Sequence, residues 1–224
     1  MASTDPAVSE RPLRRDAQAN RQRVVEAARE VFASRGSSAT LDEVAQRAGV
    51  GVGTVYRRFP TRELLLRAAL EERLEQHATA VEAALHAPTG WDGFVRFLHR
   101  AAELHATDRA VRDVELGAGF DDRYLRGIRD RIMPVVAQLV DRAHAEGSLR
   151  PDVTAEDVPL LLTMISEVAQ HSRETSPGAW TRYLRIVVDG LRNTPGTGDL
   201  GAAPSGDDAL ALVRHWLPGA ARRG

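Results

Sequence analysis

A chain of 224 residues, 43% hydrophobic and 27% charged, is long enough to bury a core and too apolar to be disordered throughout. It has no cysteine, which excludes disulfides, thiolate metal centres and cysteine nucleophiles and fits a reducing cytoplasm. The net charge is only −1, but between Arg11 and Arg67 twelve arginines meet six acids, a balance of +6 that leaves −7 for the rest. That asymmetry alone fits either a solvated helical surface or an N-terminal part that meets a polyanion.

Residues 1–16, rich in Ser, Pro and Arg with no apolar period, read as a flexible arm. A helix follows from about Ala17 to Ser34, with Val24, Ala28, Val31 and Phe32 on one face and Gly36 as its left-handed stop. Thr40-Leu-Asp-Glu43 is a capping box that starts a second, short helix. Gly49 supplies the positive φ of a sharp turn, Ala45 the small residue where two helices touch, and Val44, Ala48, Val50 and Val55 bury the joint. A third helix runs from near Val52 to Phe59-Pro60, and Thr61 caps a long helix reaching about Leu85. Helical periodicity then continues over 91–106, 108–116, 121–146, 154–172 and 177–192, without strand alternation. The Gly/Pro/Thr/Ser-rich segment 193–206 reads as flexible, with a short helix possible at 207–217. The expected fold is all-α: a helix-turn-helix head over 17–62, a larger helical body over 63–192, and a mostly flexible tail over 193–224.

The outer face of the third helix carries Thr54, Tyr56, Arg57 and Arg58, donors of lengths suited to phosphates and base edges. The run Leu41-Asp-Glu-Val-Ala45, Ala48-Gly-Val50 and Gly53-Thr-Val-Tyr-Arg-Arg-Phe-Pro60 resembles the N-terminal domain of the TetR family of transcriptional regulators. The resemblance extends over roughly 18–70. It implies that Thr54 and Tyr56 contact phosphates and neighbouring bases, that Val52 and Gly53 enter the major groove, and that Arg57 reaches a base or phosphate. Arg58 and Arg62 are implied to face phosphates, and Thr40 joins the DNA-contacting set. Gly51 stands where the family commonly has a capping serine, and Val52 and Gly53 offer bases no hydrogen bond, so direct readout is thin.

The resemblance also implies a homodimer on a palindromic operator and a largely apolar small ligand in the body. Dimerisation is expected through Leu161, Ile165, Val168, Trp180, Leu184, Val187, Val188 and Leu191, stripes that periodicity alone reads as intrachain core. Phe94, Phe97, Phe120, Tyr124, Met133 and Met164 are the pocket candidates, with His99, His105 or Gln170 among the polar ones; aromatics at this spacing are also ordinary core. No enzyme, cofactor or metal site is expected. The seven histidines show no metal spacing, Gly51-Val-Gly53 lacks a Walker lysine, and no serine has a nucleophile-elbow setting. No apolar run is long enough to span a membrane. The leading expectation is a cytoplasmic, ligand-released repressor. The alternatives are an architectural DNA-binding protein without an effector and an all-α binding or catalytic protein whose helical corner is coincidental.

Overall fold

The computed structural model describes residues 7–115, 123–196, 198–206, 208–209 and 211–212, and all regular elements among them are helices. The head comprises α1 (Ala7–Arg35), a 3-10 turn (Gly36–Ser38), α2 (Leu41–Ala48) and α3 (Val52–Arg58). The body comprises α4 (Arg62–Ala84), α5 (Gly90–Thr107), α6 (Arg109–Glu115), α7 (Arg123–Ala145), α8 (Asp157–His171) and α9 (Ala179–Leu191). One apolar core runs through both. Val24, Val25, Ala28 and Phe32 of α1 meet Leu41, Val44 and Val55, and the core continues into Leu65, Leu66 and Leu70 of α4.

Local signals set the helix ends. The Thr40 hydroxyl accepts from the Glu43 amide (3.2 Å) while the Glu43 carboxylate accepts from the Thr40 amide (2.9 Å). Thr61 caps α4 through the Leu64 amide and Thr89 caps α5 through the Asp92 amide. The start of α5 is also held from the turn that follows α7, since the Glu146 carboxylate accepts from the amides of Gly90 (2.5 Å) and Trp91 (3.3 Å). A Cβ on Gly90 would lie 2.6 Å from the Ala143 nitrogen, so this crossing admits glycine alone.

The head also meets the body at α6, and ion pairs hold the body helices to one another around that contact. At the end of α1, Gly36 sits so close to the Asp113 carboxylate of α6 that a Cβ there would collide with it. The fully buried Arg112 pairs with Asp113 (2.9 Å) and with Glu167 of α8 (3.2 Å). Arg73 of α4 holds the buried Asp108 at the start of α6 (2.6 Å). Arg131 of α7 forks between Glu82 (2.5 Å) and Glu75 (2.7 Å) of α4.

Three expectations need correction. The first helix begins at Ala7, so 7–16 continue α1 instead of forming an arm; the helix-forming Ala, Gln and Arg of 14–23 extend it past Pro12, whose missing N–H costs one hydrogen bond near the start. The eighth helix begins at Asp157, whose carboxylate accepts from the Thr154 amide (2.8 Å), with Glu156 in the capping position.

The third concerns the tail. Its first part is tied down: Asn193 donates its amide to Ser148 O and its side chain to Gly147 O, both at 3.0 Å. Arg150 pairs with Asp152 (3.0 Å) and donates to Gly198 O, while Asp152 accepts from the Leu200 amide (2.8 Å). Backbone donors and one ion pair do the holding, which is why a Gly/Pro-rich composition misreads the segment. The possible helix at 207–217 falls largely outside the described residues.

The Arg150 guanidinium and the Leu200 amide together hold the Asp152 carboxyl down at about 2. A carboxyl depressed on folding contributes stability above its ordinary pKa of about 3.9 and loses it as pH falls toward the folded value. The tail is therefore expected to stay docked at neutral pH and to loosen between about pH 4 and pH 2. Asp152→Asn is expected to give the same loosening at pH 7, seen as several-fold faster proteolytic cutting within 193–206. An unchanged cutting rate would show that the ion pair does not hold the tail.

Candidate nucleic-acid interface

The reading element is α3, seven residues long and lacking a side-chain cap: its first position follows Gly51, whose carbonyl accepts from the Thr54 amide at 2.8 Å. It is fixed from outside. Gly49 adopts φ 66°, ψ 34° and closes α2, and the Val50 amide returns to Ala45 O at 3.1 Å. Val55 and Phe59 are buried and anchor the inner face. Val52, Gly53, Tyr56, Arg57 and Arg58 are exposed, and Thr54 is half-buried at the margin. Arg57 donates to the Thr54 hydroxyl at 3.4 Å, so both lie on one strip with Tyr56 between them in sequence. A hydroxyl, a phenol and two guanidinium groups thus share the outside of a short helix whose inside is locked into the core.

The second helix is braced by ion pairs from α1. Arg35 pairs with Glu43, and Arg47 pairs with Glu30. Hydrogen bonds from Thr40, with the charge of Arg35 beside them, hold the Glu43 carboxyl below its usual range, so the capping box is ionised and intact at neutral pH. Thr40 is exposed and already serves as this cap.

Arg62 has a structural role that its expected one did not include. Its Nε donates to Ala39 O (2.8 Å), a second nitrogen donates to Gly36 O (3.4 Å), and the guanidinium lies 5.5 Å from the Phe32 ring centroid. It is partly buried, and that burial lowers its pKa from the usual value. Two of its nitrogens are engaged by the carbonyls of the α1–α2 connection, so Arg62 helps to position the head. Sequence spacing gave no sign of this, because the partners lie 23 and 26 residues upstream.

The body residues divide differently from expectation. Phe94 and Phe97 are buried core, with Phe94 against Trp91 at 6.4 Å between centroids. Met133 is partly buried. His99 and Met164 are exposed on this chain, so neither lines an interior cavity in it. Phe120 and the Tyr124 side chain lie outside the described residues. Of the expected dimer stripe, Ile165, Leu184 and Leu191 are buried within their own chain and are unavailable to a partner. Leu161, Val168, Trp180, Val187 and Val188 are half-buried, while Met164, Tyr183 and Ile186 are 46–54% exposed on α8 and α9. The strongest apolar stripe went to the protein's own core, and the weaker neighbouring one faces out. Among the described residues no group of three His, Cys, Asp or Glu side chains is placed to hold a metal, and no helix is long and apolar enough to cross a membrane.

A capped α2, a glycine turn and a pinned helix with donors outward define a helix-turn-helix DNA-binding head on a helical body. Comparison with known proteins gives the family. Residues 24–69 match the model of bacterial regulatory proteins of the tetR family, and residues 90–193 match that of the C-terminal domain of SbtR-like transcriptional regulators. The HTH-type transcriptional regulator SrpR of Pseudomonas putida is 30% identical over 182 residues, 80% of this chain and 78% of that protein. UidR of Escherichia coli K12, also an HTH-type transcriptional regulator, is 25% identical over 80% of this chain and 96% of its own. Among solved structures, a tetR-family regulator from Rhodococcus RHA1 superposes with a TM-score of 0.58 at 22% identity, covering 78% of this chain and 98% of that one. The chain belongs to the TetR family and is a DNA-binding transcriptional regulator.

The position of Arg62 yields a test. Arg62→Ala leaves two carbonyls of the α1–α2 connection without their donor and is expected to destabilise the protein by about 2 kcal/mol. A lowered melting temperature would accompany the weaker DNA binding. A variant that melts like the wild type yet loses affinity with a smaller salt dependence would make Arg62 a phosphate contact and not a brace of the head.

Proposed function

We propose that this chain is a homodimeric, cytoplasmic repressor that grips a palindromic operator with two copies of α3 and leaves it when a small, largely apolar ligand binds the helical body. The observation that carries the reading is a pair of faces on one chain. The exposed donors Tyr56, Arg57 and Arg58 stand on a pinned helix, and the exposed Met164, Tyr183 and Ile186 stand on α8 and α9.

One seven-residue helix covers few base pairs. A two-fold dimer sets two such helices in successive major grooves, about 34–36 Å apart, which needs a face where two copies meet. Met164, Tyr183 and Ile186 supply apolar surface of the kind an isologous contact covers. Thr54, Tyr56 and Arg58 serve phosphates in this reading, Val52 and Gly53 sit in the groove, and Arg57 reads a base edge. With so few base-specific groups, operator choice also draws on DNA shape.

Gln170 on α8 supports a ligand in the body. Its side-chain nitrogen is buried and has no acceptor among the described residues. Such a donor is satisfied by a ligand carbonyl or hydroxyl among the apolar side chains. A ligand that binds one arrangement of the body better shifts the population toward it, and the cluster joining α6 to Gly36 and to α8 offers a physical connection from body to head.

The direct experiment is titration of the protein's own upstream DNA by fluorescence anisotropy, followed by a screen of hydrophobic small molecules for release of the complex. Saturable, salt-sensitive binding to one short palindrome is expected. Binding that ignores sequence and never responds to a ligand would favour an architectural role. Arg57→Ala is expected to weaken operator binding by about 1–3 kcal/mol and relax preference at one base position; equal weakening on all sequences would reduce Arg57 to a phosphate contact. Ile186→Asp is expected to shift sedimentation from dimer to monomer while far-UV circular dichroism stays unchanged, and a persistent dimer would place the seam elsewhere.

A further inference from the structure

We infer that the effector of this chain carries a carboxylate, held by Arg109, Gln170 and Ser172 where the start of α6 runs past the end of α8. The inference rests on the ligand-responsive reading and names the chemistry of that ligand. Among the described residues, Arg109 Nε, Gln170 Nε2 and the Ser172 hydroxyl are buried without a hydrogen-bond partner. Each belongs to a residue that is itself only partly buried, so the three atoms lie close to the surface of the body.

Two cross-links fix the register between the segments that carry them. Arg112 of α6 pairs with Glu167 of α8 at 3.2 Å. Arg173, just past α8, donates to the carbonyl of Ala106 at the end of α5, at 3.1 Å. One stretch advances from Ala106 to Arg112 while the other retreats from Arg173 to Glu167, so the two run antiparallel. Arg109 is midway along the first and Gln170 midway along the second, which sets them opposite each other. Ser172 stands beside Arg173 at the same end.

The carboxylates of this region are already matched. Glu167 pairs with Arg112 and lies 3.5 Å from His171 Nδ1, and Asp113 pairs with Arg112. Asp108 is held by Arg73 and by the amides of Ala110 and Val111. Leaving the remaining donors buried without an acceptor is costly, most of all for the charged one. A carboxylate supplies two oxygens and one negative charge to one guanidinium N–H, one amide N–H and one hydroxyl. A neutral ligand would leave the guanidinium edge uncompensated, and a phosphate dianion brings more charge than Arg109 offsets.

Position links the site to the head. A Cβ on Gly36, at the end of α1, would lie 3.1 Å from Arg109 Cβ. The side chain that meets the carboxylate therefore has its stem against the last turn of α1. Drawing Arg109 onto an anion beside Gln170 alters the packing under Gly36, which favours one seat of the head over another.

The test has two arms, both on the full chain. In the first, Gln170→Glu builds a tethered carboxylate opposite Arg109. Wild type, Gln170→Glu, Arg109→Gln and the double variant form a melting cycle at neutral pH. Arg109→Gln is expected to lower Tm by several degrees more in the Gln170→Glu background than in wild type. Gln170→Glu alone is expected to bind the upstream duplex about tenfold more weakly with no ligand added.

In the second arm, benzoate and octanoate, their primary amides and inorganic phosphate are titrated calorimetrically at constant ionic strength. The better acid is expected to bind about tenfold tighter than its amide, and Arg109→Gln to remove that preference. Ser172→Ala, a smaller change, should weaken acid binding several-fold. Equal Tm changes in the two backgrounds overturn the inference, as do acids that bind no better than their amides or phosphate that binds tighter than either acid. Release of the duplex by a neutral compound would then leave the repressor reading standing. A protein that no acid, amide or compound of the hydrophobic screen detaches from DNA, and whose Gln170→Glu variant binds like wild type, overturns both.

Discussion

A helix of seven residues with no capping side chain cannot hold itself in place, since nucleating a helix fixes several residues for a single hydrogen bond and short helices are marginal in water. Everything around α3 answers that constraint. The left-handed Gly49 turns the chain sharply enough for Val55 and Phe59 to reach the core, and the ionised Thr40–Glu43 box keeps α2 rigid beneath them. Arg35 and Arg47 brace α2 against its neighbours, and Arg62 draws the α1–α2 connection onto the start of α4. Rigidity is supplied by the surroundings so that the outer face is free to carry Tyr56, Arg57 and Arg58.

The same division orders the charge. The arginine-rich stretch from Arg11 to Arg67 contains the DNA-binding head, and the acidic excess lies outside it. A near-neutral chain with charges separated in this way keeps an attractive field where DNA approaches and a repulsive one elsewhere, which steers the head toward the duplex. Within the body, buried charges are paired around α6: Arg112 with Asp113 and with Glu167 of α8, and Asp108 with Arg73 of α4. Burial raises the Asp108 pKa against the pull of its backbone donors and of Arg73. Such pairs are expensive to break, so α6, which meets the end of α1 at Gly36, is held firmly against α4 and α8.

Much of the head was legible in the sequence because its determinants are local. The capping box spans four residues, the Thr61 cap acts three residues on, and the Gly49 turn depends on one residue's φ. Helix type and order through the body were legible for the same reason, from periodicity. What the sequence did not reveal lies in contacts between distant residues. Arg62 chose carbonyls across the head, and the Arg150–Asp152 pair tied down a tail 48 residues away. Ile165, Leu184 and Leu191 illustrate another limit: periodicity finds an apolar stripe without saying whether its own chain or a second copy covers it. Met164 passed from pocket candidate to exposed surface on the same ambiguity.

The central claim is that α3 reads DNA from the major groove and does so in pairs. Chemical footprinting with guanine-N7 methylation interference on the protein's own upstream DNA tests it most directly. The account predicts two protected patches on one face of the duplex, their centres about 10 base pairs apart or a multiple of that, each with interference at major-groove N7. A single unphased stretch of protection, or protection without N7 interference, would contradict it.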